Sequence, residues 1–178
     1  MNALARCAEA LYARGRSDEG DRHALAGARA LGAWLPRVLA DGDDLGARTR
    51  LLEGAADAGR ALAITGLALG HAMAQALGGR YGLPHGALNA ICLPPALRFN
   101  APVASDALAQ LGEALGGEAV ARVEQLARAA GFTRLRDLGV PEEELDDVAE
   151  AAAARPGARA NPRPASAREI AALYRSVW

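Results

Sequence analysis

The amino-acid sequence predicts an all-α fold, a multi-helix bundle without a sheet of any size. Three observations carry that expectation. Alanine supplies about a quarter of the 178 residues, and Ala with Leu, the best helix formers, fills most apolar positions. β-branched residues are scarce, which argues against strands. Clusters of glycine close helical patterns and never follow a β-type run, so no Gly-rich nucleotide turn is present.

At 178 residues the chain is long enough for one core, and residues 1–178 are read as a single helical domain. The net charge is −1, with 20 basic residues, all of them Arg, against 21 acidic ones. That balance gives no electrostatic footprint for nucleic acid or an anionic membrane. No uninterrupted apolar run reaches the length of a membrane span; Ala55–Leu69 comes nearest and is broken by Asp57 and Arg60. There is no charged-then-apolar leader pattern. Cys7 and Cys92 sit in apolar helical patterns and read as buried reduced thiols. The expected location is cytoplasmic.

The elements follow in order. Residues 3–14 place Leu4, Cys7, Ala8 and Leu11 on one helical stripe. After a turn at GRSDEGD, a second helix is expected over 21–39, with Leu25, Ala28, Leu31, Leu35 and Val38 facing inward and Pro36 kinking or closing it. Asp44 is a plausible N-cap for a third helix over 45–64, its inner face carrying Leu51, Leu52, Ala55, Ala58 and Leu62. Thr65-Gly66 interrupts the pattern. A fourth helix is expected to stop at Leu77, with Gly78-Gly79 as its C-cap, and RYGLP to lead into a fifth over 86–98 that breaks at Pro94-Pro95. Helices over 104–115, 118–131 and 142–154 come next, then an extended loop at RPGARANPRPAS and a last helix over 167–177.

Of the three histidines, His23 lies in DRHALAG at a polar helix edge and reads as a surface residue. His71 is mid-helix among small neighbours, and His85 opens the next helix fourteen residues later. Helices joined by so short a connector are adjacent, so the two imidazoles can face one another. From spacing alone, two unrelated core or cap histidines are the plainer reading.

The run G-x4-H-x5-L-G-G-x4-P-H-G-x2-N-A-I-x-L-P, from Gly66 to Pro94, is similar to the signature of iron-containing alcohol dehydrogenases. MNALARCAEALYA, LPRVLADGDDLGAR, LRFNAP, LRDLGVPEEELDDVAEAA and NPRPAS resemble the maleylacetate reductase branch. The resemblance covers nearly the whole chain and corresponds to that family's C-terminal helical domain, without its nucleotide-binding α/β half. It implies NAD(P)H as cofactor, held by a missing or separate domain or chain, and Met1 corresponds either to a true start or to a Met internal in the family. A homodimer is expected.

In metal-dependent members an Asp and a His one helical turn later join two further histidines around the metal. By this resemblance the last two are His71 and His85, the metal candidates if a metal binds at all, and the first two are Asn2 and Arg6. A guanidinium offers no lone pair, so a tightly bound metal is not expected. Further departures are Gln75 and Gly70, where the family shows histidines, and Pro95 in place of the histidine of an LPH turn. The implied roles are His71 as the proton donor, with Asn2, Arg6, Gln75, His85, Asn161 and Arg163 around a small carboxylic-acid substrate. For Arg6 the bland alternative is an ion pair with Glu9 or Glu53, and for NPRP a rigid loop that docks the last helix. Two readings stay open: the substrate half of a reductase acting on a keto or enoyl group, or a stand-alone non-redox binding domain on the same scaffold.

Overall fold

A computed structural model describes residues 1–178. It holds ten α-helices and no strand: α1 Asn2–Ala10, α2 Asp18–Ala40, α3 Leu45–Thr65, α4 Leu69–Tyr81, α5 His85–Asn100, α6 Ser105–Leu115, α7 Ala119–Ala129, α8 Leu145–Ala153, α9 Pro156–Ala160 and α10 Ala167–Arg175. Two 3₁₀ turns, Arg136–Leu138 and Glu142–Glu144, lead into α8.

The core has two halves. One gathers α1, α2, α3, α6 and α7 around Leu4, Leu11, Leu31, Leu111 and Leu126. The other gathers α4, α5, α8 and α10 around Leu69, Met73, Leu77, Leu88 and Tyr174. α5 divides them, sending Leu93 and Leu97 into the first and Leu88, Ile91 and Phe99 into the second. No single helix is long and apolar enough to cross a membrane, and between α3 and α4 the chain turns by 101°.

The seam between α2 and α3 departs from the expected leucine faces. Apart from Leu31, which is buried against Gly54 as expected, its buried residues are small: Gly27 and Ala28 on α2, Ala47, Gly54, Ala58 and Ala61 on α3. Leu52 is 70% exposed, and Leu25, Leu35 and Val38 are only half-buried. The backbones lie so close that a Cβ on Gly27 would stand 2.7 Å from Cys7 Sγ and 2.9 Å from Gly54 O. Close approach, not side-chain bulk, defines this contact. Gly27→Ala should therefore destabilise the chain by about 1–3 kcal/mol, the overpacking term exceeding the gain of about 1 kcal/mol in helix propensity. Urea denaturation measures it; an unchanged or raised midpoint would show that the seam can open.

Several expected boundaries move, each for a visible reason. α2 starts at Asp18 because Ser17 Oγ accepts the Gly20 amide, and it runs through Pro36 to Ala40. α4 passes through Gly78-Gly79 and ends at Gly82, whose φ of 65° supplies the left-handed C-cap. α5 keeps its helical path through Pro94-Pro95, because it is buried nearly all round and packing outweighs two missing backbone donors. The segment expected to be an extended loop contains the short helix α9. His23 is half-buried, its Nδ1 3.0 Å from Asp57 Oδ1 across the α2–α3 pair. Cys7 and Cys92 are free and buried, and burial pushes the Cys7 thiol up to about 12.

Candidate functional site

Asn2, Arg6 and Glu9 occupy one stripe of α1, spaced as successive turns, and that stripe meets the N-terminal end of α4. α4 opens without a side-chain cap of its own. Glu9, with 0% of its surface exposed, supplies one from outside: its carboxylate accepts the amides of Ala68 at 2.7 Å and His71 at 3.1 Å. Asn161 Oδ1 accepts the Leu69 amide at 3.4 Å. The orphan donors of a buried helix start are thus met by side chains distant in sequence, and the negative charge sits at the positive end of the helix dipole. Gly70 belongs to this arrangement: a Cβ there would stand 2.9 Å from Glu9 Oε1.

The same carboxylate fixes His71. Glu9 Oε2 lies 2.7 Å from His71 Nδ1, in a pair exposed by only 2% and 0%. A carboxylate is acceptor only, so Nδ1 donates and Nε2 is the exchangeable nitrogen. Nε2 faces Asn2 Oδ1 at 3.1 Å. The Asn2 oxygen is placed there by Asn89, whose Nδ2 donates to His85 O at 3.0 Å and to Asn2 Oδ1 at 3.2 Å. Both ring nitrogens of His71 therefore face oxygen atoms, Glu9 Oε2 and Asn2 Oδ1.

His85 opens α5 beside this cluster, its ring centroid 6.2 Å from that of His71. It is only half-buried. Burial pushes its imidazole below the usual value, and the positive charges of His71, Arg6 and Arg155 push the same way. Along α4 the face of His71 continues through Gln75 to Gly78 and Gly79. Both glycines lie next to the site: a Cβ on Gly78 would stand 3.7 Å from His85 Nδ1, an ordinary contact, and one on Gly79 3.3 Å from Arg155 Nη2. Gln75 lines a hollow of about 310 Å³ with Gly66, Leu67, Pro156, Gly157 and Ala160. α9 comes this close because Gly157 has no side chain; a Cβ there would meet Ala68 O at 2.7 Å. The hollow thus flanks α4 at Gln75, one turn beyond His71, which does not line it.

Asn2, Arg6, His71 and His85 gather as expected, and Gln75 follows one turn further along α4. Arg6 makes no ion pair with Glu9 or Glu53: Glu9 is committed to α4, and Glu53 pairs with Arg50. The expected substrate contacts from Asn161 and Arg163 meet a different geometry. Asn161 is fully buried and exchanges two hydrogen bonds with Asn100, at 2.9 and 2.7 Å, besides donating to Arg163 O at 2.6 Å. Arg163 donates to Phe99 O at 3.1 Å, pairs with Glu169 at 2.9 Å and stacks over the Phe99 ring. Both act as a clamp of the α9–α10 loop onto α5, and Asn161 touches the site only by capping α4. Glu9, Asn89 and Arg155 were not among the expected site residues. Glu9 and Asn89 could have been found as polar residues one or two turns from Asn2 and His85 within apolar helices.

The donor atoms in this cluster are two imidazoles and amide oxygens. Glu9 is engaged by its three N–H partners, and Arg6 adds a positive charge without a lone pair.

The family model described as "Fe-containing alcohol dehydrogenase family, C-terminal" matches residues 1–178. Maleylacetate reductase 1 of Rhodococcus opacus is 36% identical over 180 residues, spanning the whole of this chain and 50% of that protein. 1,3-Propanediol dehydrogenase of Klebsiella pneumoniae is 32% identical over 191 residues, with 49% of its length covered. Among solved structures, a 1,3-propanediol oxidoreductase superposes over all of this chain and 50% of its own, with a TM-score of 0.97 at 32% identity. Maleylacetate reductase from Rhizobium sp. strain MTP-10005 superposes over 99% of this chain and 50% of its own, with a TM-score of 0.91 at 36% identity. The chain spans about half the length of the relatives it matches.

Proposed function

Because the chain belongs to the Fe-containing alcohol dehydrogenase family, as its C-terminal domain, we propose that it is the substrate half of an NAD(P)H-dependent reductase acting on a keto or enoyl group of a small carboxylic acid, as in the maleylacetate reductases. The observation that carries this reading is His71: a buried imidazole locked through Nδ1 to Glu9, with Nε2 directed at Asn2 and the His85 ring 6.2 Å away, next to the α1 stripe that carries Arg6.

Bound nicotinamide supplies a hydride, two electrons and one hydrogen nucleus, to an electrophilic carbon. The electron pair displaced from the substrate π bond moves to its oxygen, directly for a ketone and through the conjugated system for an enoyl acid. His71 delivers the proton that neutralises it, from Nε2, while Glu9 keeps the Nδ1 proton and holds the ring in place. Asn2 orients the acceptor atom, and the half-exposed His85 side of the cluster returns a proton from solvent. Arg6 grips a substrate carboxylate through paired N–H groups. Gln75 can hydrogen-bond a substrate oxygen and has no proton to transfer.

The family name implies iron, and this donor set does not fit it. A site for such an ion asks for several anionic or neutral donors converging on one point. Here the carboxylate belongs to the helix, Asn2 offers only a neutral amide oxygen, and a guanidinium stands within the cluster. We therefore route no step through a metal.

The test is a chimera in which residues 1–178 follow the amino-terminal half of the Rhizobium maleylacetate reductase. NADH oxidation with maleylacetate is expected, and His71→Gln should lower kcat by about 10²–10⁴-fold, the range of a lost general acid. Turnover undiminished in that variant would remove His71 from the chemistry. A folded chimera that binds acid and never turns over would favour a binding domain.

A further inference from the structure

The largest hollow in the molecule, about 340 Å³, lies on the other face of α9 from Gln75 and shares no residue with the hollow there. Its floor is apolar, made by Ala153, Ala158, Pro164 and Ala165, and its two charged residues are Arg14 and Arg159. No acid lines it, although the chain has 21 acids for 20 arginines and sets one against Arg16, Arg80 and Arg175, among others. Arg14 and Arg159 are exposed and pair with no carboxylate. Arg22, Arg29, Arg134 and Arg168 are unpaired too, but none of them lines a hollow. What sets Arg14 and Arg159 apart is that the backbone brings them together: the Arg14 amide donates to Ala160 O at 3.0 Å. Both arms spring from fixed bases. Tyr12 and Ala13 are buried beside Arg14, and Asn161, two residues after Arg159, is locked to Asn100 by two hydrogen bonds. Two like charges are thus held side by side at one hollow, without a counter-charge from the fold.

We infer that Arg14 and Arg159 form a binding site for a phosphate monoester, whose phosphoryl group bridges the two guanidiniums while its organic part lies on the alanine–proline floor. A phosphate monoester carries a charge of about −1.5 to −2 near pH 7 and three strong acceptor oxygens, enough to engage two guanidinium forks at once. A monocarboxylate satisfies one fork and leaves the second charge unmet. The hollow falls within the roughly 300–1,000 Å³ of small-molecule pockets, so it has room for carbon beside the phosphate. The site is separate from the His71 cluster and does not depend on the reductase reading.

Isothermal titration of the 178-residue chain at low ionic strength decides it, with phenyl phosphate, benzoate and inorganic phosphate as probes. Phenyl phosphate should bind one to one, at least about tenfold tighter than benzoate, as a second charge-assisted contact allows. Inorganic phosphate should bind more weakly than phenyl phosphate, because it makes no use of the floor. Arg14→Gln and Arg159→Gln should each weaken phenyl phosphate at least about tenfold. Arg14→Lys should restore part of that loss, since it keeps the charge without the fork. His71→Gln should leave the binding unchanged, which separates this site from the histidine cluster. Both arginines are exposed, so circular dichroism and urea midpoints of the glutamine variants should match the parent, and a loss of binding then reports the site and not the fold. Unchanged affinity in either glutamine variant, benzoate or inorganic phosphate binding as tightly as phenyl phosphate, or no saturable binding would each overturn the inference.

Discussion

Glu9→Ala should lower the stability of the chain by about 3–5 kcal/mol, the range seen when one partner of a buried charged pair is removed. The substitution leaves three donors without an acceptor in a region closed to water: the amides of Ala68 and His71 and the His71 ring at Nδ1. It also removes the negative charge from the N-terminal end of α4. Glu9→Gln is the informative companion. Its carbonyl oxygen can still accept an amide, but its NH₂ group then faces donors, so about half the loss should remain. Chemical denaturation gives both values. A Glu9→Ala variant within about 1 kcal/mol of the parent would show that solvent reaches the α4 start and that the carboxylate is not its cap. If the proposed chemistry holds, either variant should also disturb activity beyond its effect on folding, because the ring is no longer held by Nδ1.

The second large effect is a gain. Asn2→Asp with Arg6→His should strengthen divalent-cation binding at the His71–His85 pair. Asn2 Oδ1 already lies 3.1 Å from His71 Nε2, so a carboxylate at that position places an anionic donor beside the imidazole. A third imidazole in place of Arg6 removes the repelling charge and supplies a lone pair. Together with His85 that gives one carboxylate and three imidazoles, a donor set suited to Zn²⁺ or Fe²⁺. Zn²⁺ titration should show the double variant binding at least about 100-fold tighter than the parent, close to 3 kcal/mol. Arg6→His alone should fall between the two. Equal affinity in parent and double variant would mean that the positions of Asn2 and Arg6 do not converge on the histidine pair.

Much of this site was legible in the sequence. The spacing of His71 and His85 across one short connector brings their helices together, whereas Asn2 and Arg6 entered only through the resemblance to the family's ligand positions. What escaped depends on contacts between distant segments. Glu9 looks like an ordinary surface acid until α4 is seen to start without a cap. Arg155 and its neighbours read as loop because five residues of helix leave little periodic signal. Asn161 and Arg163 were assigned to substrate on resemblance, yet their hydrogen bonds go to Asn100, Phe99 and Glu169, partners no local pattern reveals. The all-α class was readable from alanine, leucine and the scarcity of β-branched residues. Helix ends were not: Gly78-Gly79 signals a stop by propensity, but the helix runs on through them to Tyr81, and the left-handed residue that ends it is Gly82. Leu52 errs the other way, an apolar residue on a face whose true contact is made by Gly54 and Ala58.

The two prolines in α5 have a mechanical meaning beyond the helix they fail to break. Pro94 and Pro95 remove two successive rungs from the hydrogen-bond ladder, so the backbone of α5 is least reinforced there and depends on its neighbours for straightness. On one side of that point α5 carries His85 and Asn89; on the other it carries Phe99 and Asn100, bolted to the α9–α10 loop. The spacing between the histidine end and the anchored end is therefore set by the two core halves that grip the helix, and a cavity opened at Leu93 or Leu97 would be felt at His85.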